Sequence, residues 1–203
     1  MLVFIADYFG AILALTITIL YARNNILAWP LCITSNLISL YLYYTTGIYG
    51  EAALEIVYII LAIYGLAHWA WGGPNNKPAV INQLPFSETI YLTLFFIFGY
   101  VLVFYILTNH TNSTIPALDA ITMVLSIIGQ WLTSRRYIES WIAWFITDSI
   151  MILMFYYKGL NGHLILNFLY LFIAIYGYRK WNELRNSAMS SSSSKKTFEL
   201  AAN

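Results

Sequence analysis

Two acids set inside apolar stretches are the residues of this chain best placed to do chemistry. Asp148 lies near the middle of the stretch 141–157, and Glu55 lies near the start of the stretch 52–71. An acid at the centre of a membrane helix costs about 2.5–3.5 kcal/mol on insertion scales, so such a group should face the protein interior or a cavity. Trp144 precedes Asp148 by four residues, and Trp141 and Phe155 continue the same stripe. An aromatic face beside a carboxylate suits an organic cation, held by stacking and cation–π attraction while the acid neutralises its charge. Asn36, Tyr58, Gln130, Asn167 and Tyr170 supply amides and hydroxyls to complete a substrate-binding site, with Ser39, Thr16 and Thr18 as further polar candidates. Other chemistries find no support. His68, His110 and His163 are far apart and show no ligand spacing, and the single Cys32 excludes a disulfide framework or a thiolate cluster. With no nucleophile–base pair and no metal-ligand set, an enzyme, a cofactor or a bound metal is not expected.

The elements that position these residues must lie in a bilayer. Of 203 residues 60% are hydrophobic and 9% charged, against about a quarter charged in soluble chains. A net charge of +1 lacks the basic face that nucleic-acid binding needs. Seven apolar segments can be read, over 2–21, 28–45, 52–71, 90–107, 117–132, 141–157 and 164–178. Each is near the ~17–25 residues that carry a helix across the hydrocarbon layer, the fifth and seventh with help from polar flanks. The first has no basic residues before it and no small-residue cleavage site after it, which predicts a retained helix. The connection 72–88, with Gly-Gly-Pro-Asn-Asn-Lys-Pro, reads as a solvated loop. With seven spans, Arg23, Lys77, Arg135, Arg136, Arg179, Lys180, Arg185, Lys195 and Lys196 share one side and Lys158 alone lies on the other. The positive-inside rule then places the C-terminus in the cytoplasm and the N-terminus outside. The tail from Ser187 is low-complexity and is expected to be disordered.

An internal repeat organises the chain. Residues 7–69 align without gaps on 119–181, with 17 of 63 positions identical, among them Asp7/Asp119, Arg23/Arg135, Trp29/Trp141, Gly47/Gly159, Gly65/Gly177 and Trp69/Trp181. Apolar composition does not align Asp, Arg, Gly and Trp at one offset. Each repeat holds three spans, and one span lies between them. An odd linker makes the triplets parallel, as in carriers of the SWEET type, with the substrate path between them. The expected fold is therefore an all-α integral membrane protein of seven transmembrane helices in a 3+1+3 arrangement. Its parts are a first three-helix repeat (1–71), a loop and linker helix (72–116), a second repeat (117–181) and a cytoplasmic tail (182–203). Glu55, Tyr58, Ala62, Gly65 and Trp69 share one helix face, as do their partners Asn167, Tyr170, Ala174, Gly177 and Trp181. Four of these five pairs are identical, and the fifth sets Glu55 against Asn167; likewise Asp148 answers to Asn36. Plainer readings apply elsewhere: Asp7 and Asp119 as helix N-terminal acids, Cys32 as a small core residue, and Trp29 and Trp69 as packing or interfacial anchors.

Several runs then carry a resemblance. Leu118-Asp119-Ala120, Gln130-Trp131-Leu132 with Arg135, Ile138-Glu139-Ser140-Trp141, Tyr157-Lys158-Gly159 and Ile175-Tyr176-Gly177 resemble the second half of the Pnu family of vitamin transporters. Trp29-Pro30 and Tyr64-Gly65 before Trp69 resemble its first half. The resemblance covers nearly all of residues 1–181. It implies the 3+1+3 fold and facilitated diffusion of a small vitamin across the bacterial inner membrane, made directional by a cytoplasmic kinase that phosphorylates the vitamin. Nicotinamide riboside carriers of this family commonly show Trp-x-x-x-Asn in the sixth span and an amide at the start of the third; here Trp144-x-x-x-Asp148 and Leu54-Glu55 stand instead. Both changes turn an amide into an acid. Since the aminopyrimidine of thiamine suits a carboxyl group, they favour thiamine, with nicotinamide riboside as the alternative and a proton-coupled vitamin symporter as a further one. Riboflavin as substrate and association into a homo-oligomer are left open.

Overall fold

The computed structural model describes residues 2–47, 49–159 and 161–201, and the side chains of 10–47, 49–159 and 162–190. Asp7, Lys195 and Lys196 lie outside the described side chains. Seven helices form: α1 (Leu2–Ala22), α2 (Ala28–Thr45), α3 (Tyr49–Trp71), α4 (Phe86–His110), α5 (Pro116–Ser134), α6 (Ser140–Lys158) and α7 (Asn161–Ala201). Each apolar segment read from the sequence falls within one of them. Pro116 sits in the first turn of α5, where its missing N–H costs nothing. The repeat partners Gly47 and Gly159, at φ +77° and +71°, turn the second helix of each triplet into the third.

One expectation is corrected here and one is extended. The segment from Ser187 continues as helix to Ala201 rather than being disordered. No Gly or Pro follows Gly177, so nothing in the tail stops a helix already running. The connection after α3 is the largely exposed loop that the sequence predicts, and beyond that expectation it is fastened across the end of the bundle as a strap. It contains a 3₁₀ turn at Pro74–Asn76, buries Ala79 and Ile81, and is bonded along the turn between α5 and α6. There Asn82 N donates to the Arg136 carbonyl (3.0 Å), Ile138 N to the Asn82 carbonyl (3.0 Å) and Leu84 N to Glu139 Oε2 (2.9 Å).

Among the described residues, four helices, α3 to α6, are long and apolar enough to cross a membrane. The apolar run of α2 is interrupted by Thr34, Ser35, Asn36 and Ser39, and that of α7 by Asn167. α1 packs on α2 and α7, α2 on α3, α3 on α5, α5 on α6, and α6 on α7, which closes a ring of six helices. α4 packs on α5 and buries no residue, so it lies outside the ring. Every contact in the ring has its counterpart 112 residues away.

The aromatic residues show the same symmetry at closer range. Trp29 and Trp141 each lie against a glycine of the helix that follows. A Cβ on Gly65 would fall 2.2 Å from the Trp29 ring, and one on Gly177 would fall 2.5 Å from the Trp141 ring. Only glycine allows that approach. Trp69 Nε1 donates to the Thr133 carbonyl and Trp181 Nε1 to the Tyr21 carbonyl, both at 3.0 Å. Thr133 and Tyr21 are themselves repeat partners, so these two bonds are one interaction made twice, each crossing from one triplet to the other. Trp29, Trp69, Trp181 and Trp141 form an edge-to-face chain with centroid spacings of 5.4, 5.7 and 5.5 Å. All four are at most 3% exposed, so the expectation of packing for Trp29 and Trp69 holds. They close the end of the ring that carries Arg23, Arg135 and Arg136, called here the basic end.

Gly65→Ala and Gly177→Ala should each destabilise the fold by about 1–3 kcal/mol, the usual cost of overpacking, and lower the melting temperature in detergent. Gly50→Ala, on α3 with open space at its Cβ position, should not. Equal melting temperatures for all three variants would contradict the Trp–Gly packing.

Candidate substrate site between the repeats

The inner face of α5 is polar where that of α1 is apolar. Thr122, Ser126, Gln130 and Thr133 are all buried there, and Gly129 lies among them. Their repeat partners on α1 are Gly10, Ala14, Thr18, Tyr21 and, for Gly129, Ile17. Gly129 leaves room for the Trp144 indole of α6, whose ring atoms come within 3.0 Å of the position a Cβ would take. Trp144 Nε1 donates to Thr133 Oγ1 (3.0 Å), and that hydroxyl donates to the Gly129 carbonyl (2.8 Å). The ring is thus pinned at one edge and only partly buried.

One turn further along α6, Asp148 is 6% exposed. No hydrogen bond or ion pair to it exists among the described residues, although Tyr170 of α7 lies within its electrostatic reach. A structural bond from Asp148 to a neighbouring helix is therefore not seen among the described residues. A buried carboxylate without a protein partner carries a desolvation cost that a ligand, a proton or water can relieve.

On the facing side, α2 and α3 supply the other candidates. Asn36 Nδ2 and Gln130 Nε2 both approach Cys32 Sγ, at 3.7 and 3.9 Å. Tyr58 lies beside Ser126 and Glu55, and Glu55 Oε2 is enclosed with no hydrogen-bond partner. The structure thus gathers Asn36, Glu55, Tyr58 and Gln130 on one side and Trp144, Asp148 and Tyr170 on the other. Asn167 is also buried, but its Nδ2 is spent on the His163 carbonyl of its own helix (2.8 Å), which leaves it less to offer. Sequence reasoning missed Ser126 and Thr133, although small and polar residues at 122, 126, 129, 130 and 133 follow a helical period and mark one face of α5. Cys32 packs against the buried cluster, as expected of a small core residue, and its thiol also lies near the amides of Asn36 and Gln130. Among the described residues no group of three His, Cys, Asp or Glu could hold a metal.

The basic residues at the end of the ring have a different task. Arg135 donates to Tyr64 Oη (3.0 Å), Glu88 Oε1 (3.2 Å) and Tyr137 Oη (3.3 Å), tying α3, α4 and the α5–α6 turn together. Arg136 is 8% exposed, and burial pushes its guanidinium down to about 10. It donates to the Ala79 carbonyl of the strap and lies 4.3 Å over the Trp69 ring. Sequence reasoning used Arg136 only as a topological charge, and Arg135 as a charge, a repeat position and part of the resemblance.

Comparison with known proteins adds the following. The profile of the family described as nicotinamide mononucleotide transporter matches residues 5–183. The nicotinamide riboside transporter PnuC of Neisseria mucosa is 30% identical over 162 residues, which are 72% of this chain and 61% of that protein. The riboflavin/roseoflavin transporter RibM of Streptomyces davaonensis is 24% identical over 182 residues, or 87% of this chain and 84% of the relative. This chain therefore spans about six tenths of the length of the Neisseria protein. Among solved structures, a crystal structure of the vitamin B3 transporter PnuC matches with a TM-score of 0.66 and 25% identity, over 91% of this chain and 85% of that one.

If the Asp148 carboxylate awaits a ligand, Asp148→Asn should relieve buried, unpartnered charge and stabilise the ligand-free protein, by about 1–3 kcal/mol. Thermal unfolding in detergent without ligand should show a raised midpoint. A lowered one would mean that the acid holds a structural bond.

Proposed function

The chain belongs to the nicotinamide mononucleotide transporter family, so the resemblance to Pnu vitamin transporters holds, and from that premise we propose that it carries nicotinamide riboside across a membrane. The observation that supports this reading is Asp148: a buried acid of α6 with no hydrogen bond or ion pair among the described residues, one turn from Trp144. Nicotinamide riboside has a flat cationic ring. Trp144 offers it a stacking surface and Asp148 its counter-charge. Asn36 and Gln130 suit the carboxamide, and Glu55 and Tyr58 suit ribose hydroxyls, because each offers a hydrogen-bonding group complementary to one on the ligand. This replaces thiamine, which the two acids alone favoured. Both vitamins are cations, so the carboxylates do not separate them, and the name of the Neisseria relative points to nicotinamide riboside.

The proposed route is a 3+1+3 arrangement of seven spans in a bacterial inner membrane, with the basic end in the cytoplasm. Transport is a uniport by alternating access between the triplets. A cytoplasmic kinase gives it direction by trapping the vitamin as its phosphate. The Lys/Arg asymmetry supports the orientation; a C-terminal fluorescent reporter should light up in the cytoplasm, and activity only on the outer side would reverse it.

Calorimetry on the detergent-solubilised protein should show nicotinamide riboside binding more tightly than thiamine or riboflavin. Asp148→Ala should weaken it by about ten- to a hundredfold, the weight of a charge-assisted contact. Asp148→Asn should change it by less than about threefold, because the lost attraction is offset by the desolvation no longer incurred. Parent-like affinity in Asp148→Ala would remove the acid from the site, and tighter binding of thiamine would restore the first reading.

In liposomes, uptake should run down the vitamin gradient and stop at equilibrium with no ion gradient imposed. Accumulation driven by a proton gradient would instead make Glu55 or Asp148 a coupling group.

A further inference from the structure

A carrier must close its path at one end while the other is open, and the two triplets meet tightly at the basic end. The four buried tryptophans fill the seam there. Within each triplet the packing interlocks, since Trp29 on Gly65 and Trp141 on Gly177 cannot slide without collision. Between the triplets the aromatic seam is lighter. It consists of the Trp69–Trp181 edge contact, the stack of Tyr64 on Trp131 at 5.2 Å, the Arg135–Tyr64 hydrogen bond and the two indole-to-carbonyl hydrogen bonds. A seam of a few modest bonds between two interlocked bodies is where reversible opening costs least.

We infer that Trp69 and Trp181 form the gate at the basic end and that Arg136 is the positioning residue that latches it. This rests on the carrier reading above. Arg136 is costly where it stands. Its φ is +58°, and its repeat partner Asn24 has φ +54°. Asparagine tolerates that left-handed region and arginine does so poorly. The guanidinium is buried and has no carboxylate partner among the described residues. What it touches is the Trp69 ring and the Ala79 carbonyl of the strap. It thereby clamps the Trp69 indole between the strap and the end of α5, where the indole N–H meets the Thr133 carbonyl. The first repeat has no such clamp, so the latch acts on one of the two symmetric bonds.

Cys32, the only cysteine of the chain, is a native reporter of this gate. It lies one turn along α2 from Trp29 and faces Gln130 in the cleft. The test is the rate at which a membrane-impermeant maleimide labels Cys32 in vesicles, supplied from the side that carries the tail or from the opposite side. Parent protein should label slowly from the tail side. Trp69→Phe keeps a ring and removes the donor. Arg136→Asn installs the residue of the first repeat and releases the clamp. Each should speed tail-side labelling by roughly three- to tenfold, the equilibrium weight of one hydrogen bond, with the opposite-side rate unchanged. Trp71→Phe, at an exposed tryptophan of α3, should leave both rates as in the parent. Unchanged tail-side rates in both Trp69→Phe and Arg136→Asn would overturn the gate, as would equal acceleration from both sides. If Trp69→Phe does not fold, Arg136→Asn decides alone. Labelling needs no vitamin, so failure to bind nicotinamide riboside would overturn the substrate reading and leave the gate standing.

Discussion

Two indole N–H groups, each donated at 3.0 Å to a carbonyl in the last turns of a helix of the other triplet, fix how the halves of this protein meet. Each of these carbonyls accepts a backbone N–H from the turn that follows, Asn24 N to Tyr21 at 2.9 Å and Arg136 N to Thr133 at 3.1 Å, and its second lone pair is free for a donor from outside. Trp69 and Trp181 use that freedom on Thr133 and Tyr21. The acceptors and donors are both repeat-related, so one pairing satisfied twice sets the position of the pseudo-symmetry axis. The ring of six helices, the aromatic chain at the basic end and the cleft beyond it all follow from that axis.

Symmetry governs the scaffold and is abandoned in the cleft. The Trp–Gly contacts, the turn glycines and the cross-triplet bonds are preserved between repeats. Yet Trp144 answers to Cys32, Asp148 to Asn36, Glu55 to Asn167, and Gly129 to Ile17. Each replacement changes what a ligand would meet without changing the backbone. Gly129 has the clearest physical effect: it opens the space into which Trp144 sinks, and no equivalent space is needed opposite Cys32. A ligand with an aromatic cation at one end and hydroxyls at the other matches a cleft whose two sides differ in this way.

Much of this was legible in the sequence because its signals were periodic. Apolar runs marked the seven helices, and a constant offset of 112 aligned Asp, Arg, Gly and Trp. The shared face of Glu55, Tyr58, Ala62, Gly65 and Trp69 pointed to the packing surface of α3. The cross-triplet bonds left no such trace, because a side chain donating to a backbone carbonyl 64 or 160 residues away imposes no pattern on either segment. The strap was read correctly as exposed loop, but its fastening left no trace for a related reason, since it depends on Arg136 and Glu139, far along the chain. The preference for thiamine rested on the fit of its aminopyrimidine to a carboxyl group, and the names of relatives favour the alternative, nicotinamide riboside. The partnerless state of Asp148 needed the structure, since a sequence cannot show that a neighbour is missing.

The central claim is that the vitamin lies between the triplets with its cationic ring between Trp144 and Asp148. A structure determined with nicotinamide riboside bound tests it most directly. The account predicts the pyridinium ring in van der Waals contact with the Trp144 indole, the Asp148 carboxylate against its charged or carboxamide edge, and the ribose toward Glu55 and Tyr58. Density for the vitamin in the cavity beneath the strap, among His68, Arg135 and Tyr137, with the Trp144–Asp148 cleft empty, would contradict it.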